Sequence, residues 1–208
     1  MANMQAVMLE VPEALLAERR RLGHDRFDEM WEGVLHMVPP PSFGHQGLEA
    51  WLVEIWAPLA RARGLRVTTD TGLFDPSVTD FFSYRQPDVA VSAPAHISRR
   101  GIEGRAELVV EVRSPNDEAY EKLPFYERVG VQEVLVIERD FNLRHWARDE
   151  DRLIEVEGAG GTPVALLALP VTLRRAAPAP AALAPAPAAL APAALAMDGP
   201  FGTLTFDE

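Results

Sequence analysis

Cysteine is absent from this chain of 208 residues, which excludes disulfides, thiolate metal centres and cysteine nucleophiles and suits a reducing compartment. Lysine is nearly absent as well: 19 of the 20 Lys and Arg residues are arginine, and Lys122 is the one remaining ammonium. No stretch approaches the roughly 18 consecutive apolar residues that span a bilayer, and residues 1–10 lack the basic-then-apolar pattern of an export signal. The expectation is a soluble, cytoplasmic protein without a membrane partner. Two familiar chemistries are missing too. Gly158, Gly160 and Gly161 fall in a turn with no helix behind them, so no glycine loop cradles a phosphate, and His45-Gln46-Gly47-Leu48-Glu49 lacks the second histidine of a zinc-protease helix.

What is abundant is negative charge. The formal net charge of −11 argues against indiscriminate attraction to nucleic acid, where phosphate neutralisation is the largest sequence-independent term. It leaves room for a local basic groove. Arginines cluster at Arg19, Arg20 and Arg21, at Arg61, Arg63 and Arg66, and at Arg99, Arg100 and Arg105, although each cluster reads more simply as a solvated helix end or loop. Acidic residues gathered about a metal would add to the negative total. With 48% hydrophobic residues the chain can bury a substantial core, and its length predicts one domain, or one domain plus a tail.

Pro12, a helical run to Leu22 and then Gly23 predict a helix with proline in its first turn and glycine as its stop. Residues 31–38 read as strand material about a Glu32-Gly33 turn, ended by Pro39-Pro40-Pro41. Leu48, Trp51, Leu52, Ile55, Trp56 and Leu59 then recur at spacings of three and four, an amphipathic helix closed by Gly64. Three β-rich segments follow at 65–71, 87–93 and 107–113, then a helix over 118–129 and an apolar strand over 131–139. That order predicts an α/β (α+β) fold, a mixed β-sheet flanked by helices, with an N-terminal helix and hairpin in front. Segments 142–148, 152–157 and 164–169 add a terminal meander. Past Arg175 the chain turns to alanine, proline and leucine. Residues 1–175 are therefore expected as the folded domain, 176–198 as a low-complexity segment, and 199–208 as a C-terminal tail with a short strand at most.

Two acids stand where acids are costly. In Pro87-Asp88-Val89-Ala90-Val91 the alternation puts Asp88 on one strand face with Ala90 and Ser92, and in residues 107–113 it puts Glu111 with Val109 and Arg113. An ionised carboxylate inside a core strand has to be paired or bound to a cation. On adjacent strands, Asp88 and Glu111 could supply two oxygen ligands to a magnesium ion, which takes one or two carboxylates and keeps several waters. The backbone carbonyl of Val112 is the candidate third ligand.

Asp88, then Glu111-Val112-Arg113-Ser114-Pro115, then Lys122, Tyr126 and Gly130-Val131-Gln132-Glu133 resemble the PD-(D/E)XK nuclease superfamily and, within it, the Uma-type family of bacterial restriction endonucleases. Trp31-Glu32-Gly33-Val34-Leu35, Pro40-Pro41-Ser42 and His45 extend the similarity upstream, so that it covers about residues 26–150. The resemblance implies a restriction-endonuclease-like core, DNA as substrate and magnesium as cofactor, with manganese as the alternative. It also implies Asp88, Glu111 and Lys122 as catalytic residues, with Asp88, Glu111 and Val112 on the metal. Where the superfamily places its lysine two residues after the glutamate, this chain has Arg113. Members of the Uma-type group carry a lysine on the following helix, which maps onto Lys122, eleven positions after Glu111. A helix beginning near Glu121 would tolerate Pro124 and put Lys122 in its first turn. The implied chemistry is metal-assisted hydrolysis of a phosphodiester bond, with Lys122 orienting or activating the attacking water. A homodimer follows by analogy, because cutting two strands is simplest with two sites.

Each accessory candidate has two readings. His45 either approaches the metal site or is a structural histidine at a helix start. Glu49 or Glu54 could be the extra acid found in many nucleases of the superfamily, or a solvated helix glutamate. Glu32 could touch the metal or serve the hairpin turn. Arg113 could anchor a phosphate through its fork or pair with Glu107 on its own strand face. Tyr126, one turn after Lys122, could pack over it or be a core tyrosine with a satisfied hydroxyl, and Ser114 fits the cap of the following helix. The rival to an enzyme is a catalytically degenerate nuclease-fold protein that oligomerises or binds a partner in a mobile-element or defence context. A third reading makes the tail a tether.

Overall fold

In the computed structural model, which describes residues 12–78, 82–115, 117–156, 162–177 and 193–206, helix α1 (Glu13–Leu22) opens after Pro12 and stops at Gly23 in the left-handed region. Proline first and glycine last is the asymmetry the sequence predicts. Strands β1 (Glu29–Trp31) and β2 (Val34–His36) form the hairpin, and Glu32 and Gly33, with φ of 48° and 87°, make the two-residue turn whose twist suits the flanking strands. β1 begins two residues before Trp31 and so takes Glu29 into the sheet. Helix α2 (Phe43–Ala62) is capped by Ser42, whose hydroxyl accepts a hydrogen bond from the His45 N–H at 3.2 Å.

The chain continues through β3 (Arg66–Thr69), β4 (Leu73–Phe74), β5 (Tyr84–Arg85), β6 (Val89–Ser92), β7 (Ile102–Glu103), β8 (Leu108–Val112), α3 (Leu123–Val129), β9 (Glu133–Ile137), β10 (Leu143–Asp149) and β11 (Arg152–Glu155). It ends in β12 (Val164–Ala165), β13 (Thr172–Ala176), β14 (Ala194–Gly199) and β15 (Gly202–Phe206). Six strands form the central sheet in the order β11-β10-β9-β8-β6-β3. Neighbours are antiparallel except β8 and β9, which run parallel with α3 between them in the chain, the crossover that a parallel pair needs. The succession α2, β3, β6, β8, α3, β9 is the predicted helix, three strands, helix, strand. The short β4, β5 and β7 interrupt it and join the hairpin in a second sheet, β2-β1-β5-β4-β7.

β8 and β9 carry almost unbroken apolar runs because a central strand is covered on both faces. Leu48, Leu52, Ile55 and Trp56 of α2 share one core with Val89, Val91, Val110 and Leu135. Phe125, Tyr126 and Val129 of α3 share the other with Ala90, Val109, Val134 and Val136. α2 is covered on its far side as well. The sheet β12-β13-β14-β15 sends Leu173, Leu195 and Met197 into the α2 core, and the Trp56 indole N–H reaches Met197 Sδ at 3.3 Å.

Three expectations change. The helix predicted over 118–129 shortens to α3, with residues 119–122 in turns and Pro124 in its second position; proline is tolerated only at a helix start, so Lys122 precedes the helix instead of lying in its first turn. Segments 142–148 and 152–157 do extend the central sheet as β10 and β11, but 164–169 supplies only β12, which pairs with β13 elsewhere. The Ala/Pro-rich segment predicted for 176–198 reaches into a strand: residues 178–192 lie outside the described residues, while β14 buries Leu195 and Met197 completely. Their alternate positions put both large side chains on one face of β14, while Ala194 and Ala196 are buried on the other, and β15 pairs beside it from the predicted tail. Among the described residues, no helix is long and apolar enough to cross a membrane.

Met197→Ala should therefore lower the unfolding free energy by about 2–5 kcal/mol in urea titrations. The same change at exposed Leu204 should stay within about 0.5 kcal/mol. Equal, small effects at both sites would contradict a C-terminal sheet packed on α2.

Candidate active site

Strand pairing brings the predicted acids together. Ala90 of β6 stands opposite Val109 of β8, so Asp88, just before β6, meets the Glu111 end of β8. The Val112 N–H donates to Asp88 Oδ2 at 2.5 Å and fixes the aspartate there. Asp70, just after β3, lies alongside: its N–H donates to the Asp88 carbonyl at 3.3 Å. Burial, then the neighbouring Asp88 charge, pushes the Asp70 carboxyl above its ordinary pKa.

Lys122 completes this group. Its Nζ lies 3.0 Å and 3.3 Å from the two Glu111 oxygens and 2.8 Å from Glu29 Oε1. Glu29 comes from the hairpin and is itself held by the Trp31 indole N–H at 2.6 Å and the Gln86 N–H at 2.8 Å. The buried Tyr126 hydroxyl of α3 donates to Glu111 Oε1. Burial by itself would lower the lysine pKa, but Glu111, Glu29 and Asp88 outweigh it and hold Lys122 above its ordinary value as an ammonium. Burial pushes the Glu111 carboxyl up to about 8, with Asp88 and Glu29 adding to the rise and Lys122 and Tyr126 opposing it. Burial and the Glu111 charge also raise Tyr126, so its hydroxyl stays a donor.

His45 forms the second half of the site. It stands in the first turn of α2, where its Nε2 lies 3.0 Å from Glu49 Oε1, one helical turn on, and 3.1 Å from Asp88 Oδ1. Its Nδ1 is 3.2 Å from Ser114 Oγ. Burial disfavours the charged ring, yet hydrogen bonds to Asp88 and Glu49 raise it to about 10, an imidazolium that donates to both. Burial likewise raises the Glu49 carboxyl.

This donor set fits a divalent cation. Glu29, Glu49, Asp70, Asp88 and Glu111 are gathered around Lys122 and His45, with Arg26 and Arg85 acting from further off on Asp70 and Glu29, a local excess of negative charge that a cation would offset. Carboxylate oxygens suit magnesium and manganese, and His45, on giving up its Nε2 proton, would add an imidazole nitrogen. One ligand atom each from His45, Glu49 and Asp88 already lies within 4.8 Å of the others.

Of the residues singled out from the sequence, Asp88, Glu111, Val112, Lys122, Tyr126, His45 and Glu49 converge here. Glu54 is exposed on α2. Glu32 does not join them: it binds Arg85 at 3.2 Å, Arg128 at 2.6 Å and Ser83 at 3.0 Å, because the tight turn directs it outward. Arg113 turns to Asp117, with Nε 3.2 Å from Oδ1 but not angled for a hydrogen bond, and covers the Tyr120 ring at 4.8 Å. Its suggested partner Glu107 pairs with Arg105 at 3.1 Å instead. With α3 starting at Leu123, Ser114 is no helix cap; its N–H is taken by Asp117 and its hydroxyl by His45. Sequence reasoning missed Glu29 and Asp70. Glu29 lies three residues before Glu32, a weak signal, whereas Asp70 is brought to Asp88 only by the pairing of β3 with β6.

A mixed sheet with helices on both faces and acids clustered at one end of adjacent strands is the architecture of a nuclease-fold protein. A family model, Uma2, described as "Putative restriction endonuclease", matches residues 16–179. The chain belongs to that family. A crystal structure described as "a putative nuclease belonging to DUF820", from Anabaena variabilis, superposes with a TM-score of 0.51 at 13% identity, covering 63% of this chain and 76% of that one; the likeness is one of fold. No curated protein matches the sequence.

Without divalent cations, proton uptake on folding makes the protein less stable as pH rises. His45 contributes fully below its ordinary 6.5 and loses that contribution as pH climbs through about 10. Glu111 acts with the same sign between 4.5 and about 8, where the folded state holds a proton that the unfolded chain has released. Urea midpoints in EDTA should fall from pH 6.5 to pH 10, and His45→Gln should flatten the portion above about pH 8. A wild-type profile that is already flat contradicts the assignment.

Proposed function

We propose that the chain is a metal-dependent endonuclease that hydrolyses phosphodiester bonds in DNA, with Asp88, Glu111 and the Val112 carbonyl holding magnesium, or alternatively manganese. Lys122 is the cation beside the attacking water. The observation that carries this reading is the Lys122 ammonium itself, fixed 2.8 Å from Glu29 and 3.0 Å from Glu111 at the foot of the metal-fitting acids. Family membership supports the same class of reaction, and the family description supports DNA as the substrate.

When bound, the ion would polarise a phosphoryl oxygen and lower the pKa of a water. The chain's own residues do the positioning. Lys122 orients or activates the nucleophile and, as an ammonium, stabilises negative charge growing on the phosphoryl oxygens. Tyr126 and Lys122 fix both oxygens of Glu111, while His45 and the Val112 N–H fix those of Asp88. The water oxygen bonds to phosphorus and gives up a proton to solvent, the bond to the leaving oxygen breaks, and solvent protonates that oxygen. Cutting both strands calls for two such sites, which a homodimer supplies, and the lack of cysteine suits action in the cytoplasm.

Supercoiled and branched DNA incubated with magnesium or manganese tests this. Asp88→Asn should abolish cleavage, and Lys122→Met should slow it on the order of 10² to 10³ fold, the cost of removing one preorganised charge-stabilising donor, with circular dichroism confirming that both variants fold. Cleavage that persists in both variants would belong to a contaminant and end the proposal. DNA bound but never cut, with any divalent ion, would favour the degenerate binding module, and a monomer in sedimentation would remove the dimer.

A further inference from the structure

Beside the edge strand of the central sheet lies a cavity of about 230 Å³. Its floor is β3 and β6, where Arg66 stands opposite Ser92 and Thr68 opposite Ala90. Cross-strand partners share a face, so Arg66, Thr68 and Ser92 lie on the face of the sheet that carries Ala90 and Val109. Glu111 follows Val109 by two residues and lies on the same face. The far wall is the loop that leads into β7, with Arg99 and Arg100. Gly101 lets that loop approach closely, since a Cβ there would sit 2.2 Å from the Gly72 carbonyl oxygen.

Three arginines and four hydroxyl side chains line it beside Ile97 and Ile102, with no carboxylate among the described lining residues, in a chain of net charge −11. Two features call for a ligand. Thr68 Oγ1 is buried without a hydrogen-bond partner, and nearly all buried polar atoms in folded proteins have one. Two guanidinium groups are also uncommitted. Arg66 reaches only the Leu65 carbonyl at 3.0 Å, and the Arg99 side chain makes no ion pair among the described residues, whereas the neighbouring Arg100 grips Glu103 at 2.7 Å and 2.8 Å. Two exposed arginines and a hydroxyl donor lining one small hollow offer the chemistry of a phosphate receptor.

We propose that this cavity is a phosphate-binding subsite in which Arg66 and Arg99 pair with phosphate oxygens and the Thr68 hydroxyl donates to one of them. The inference deepens the nuclease reading and rests on it for the source of the phosphate, a bound DNA strand lying along β3. Thr71 lines the cavity at the end nearest the acids, one residue from Asp70 and its hydrogen bond to Asp88. From Asp70 to Arg66 is four residues of chain, roughly 13 Å if extended, so the subsite would grip the strand away from the bond that is cut.

Inorganic phosphate titrated into the full chain in EDTA, followed by backbone amide NMR, tests the cavity without relying on catalysis. Saturable shifts are expected at Arg66, Thr68 and Ser92, and Arg66→Ala/Arg99→Ala should weaken the affinity at least about tenfold, in keeping with charge-assisted hydrogen bonds. Thr68→Val separates binding from structure: removing an orphaned buried hydroxyl should raise the stability of the free protein while phosphate binds severalfold more weakly. Absence of saturable binding, or binding indifferent to all of these changes, overturns the proposal. DNA binding in EDTA then identifies the source. A backbone subsite predicts that the double variant lowers the salt dependence by about one phosphate contact whether or not the DNA carries a 5′ phosphate; loss confined to 5′-phosphorylated ends supports a receptor for strand termini. Phosphate binding that depends on Arg66 and Arg99, in a protein that binds no DNA, would uphold the anion site and sink the nuclease reading.

Discussion

Carboxylates drawn from separate elements cannot share a dry pocket unless a cation holds them, and in this chain that cation is Lys122. Its ammonium bridges Glu29 from the hairpin and Glu111 from β8, and the Tyr126 hydroxyl from α3 closes the same cluster. Removing one member of a buried ionic group leaves the others uncompensated, which is far costlier than losing an exposed pair. The position of the hairpin against the central sheet therefore depends on the charge balance at Lys122. The converse also holds: the Glu29 that the hairpin delivers adds to Glu111 and Asp88 in keeping the ammonium charged.

A second cation secures the same junction by other means. Arg85 of β5 is almost fully buried between the Trp31 ring at 4.1 Å and the Phe125 ring at 4.3 Å, so that the hairpin sheet and α3 are held by stacking as well as by charge. Its guanidinium also donates to the Met30 and Tyr84 carbonyls and to Glu32. Glu32 is thus part of the frame of the site and not of its chemistry. On the opposite face, α2 lies between two sheets, which explains an apolar circumference broader than one stripe. Its first two turns carry His45 and Glu49 to Asp88. The rigid core and the candidate site share this one helix.

What the sequence made legible was local. The alternation in residues 107–113 placed Glu111 on a strand, that in residues 87–91 put Asp88 at the start of one, where it stands just before β6, and the motif spacing drew attention to Lys122. What it could not show was partnership between distant segments. Glu29 sits in a strand of three residues, too short to give a period, and it meets Lys122 only because β1 pairs with β5. Glu32 looked the better candidate because turns favour polar residues, yet the same turn geometry faces it away. Arg113 followed the strand alternation but found Asp117 and Tyr120 nearer than any phosphate. In the C-terminal segment, alanine and proline content concealed β14, because strand formation there depends on the core it covers more than on its own composition.

The scarcity of lysine also makes the candidate site chemically singular. Within the covered sequence there is one ε-amine, 12% exposed and locked between two carboxylates. Arginine, which supplies every other basic side chain apart from histidine, does not share its nucleophilicity or its ability to release a proton. An amine-directed reagent that reaches a side chain in this protein can only be reporting on one atom, and that atom stands where the hairpin, the central sheet and the turn before α3 meet. Opening of that junction would be written directly in the reactivity of a single nitrogen.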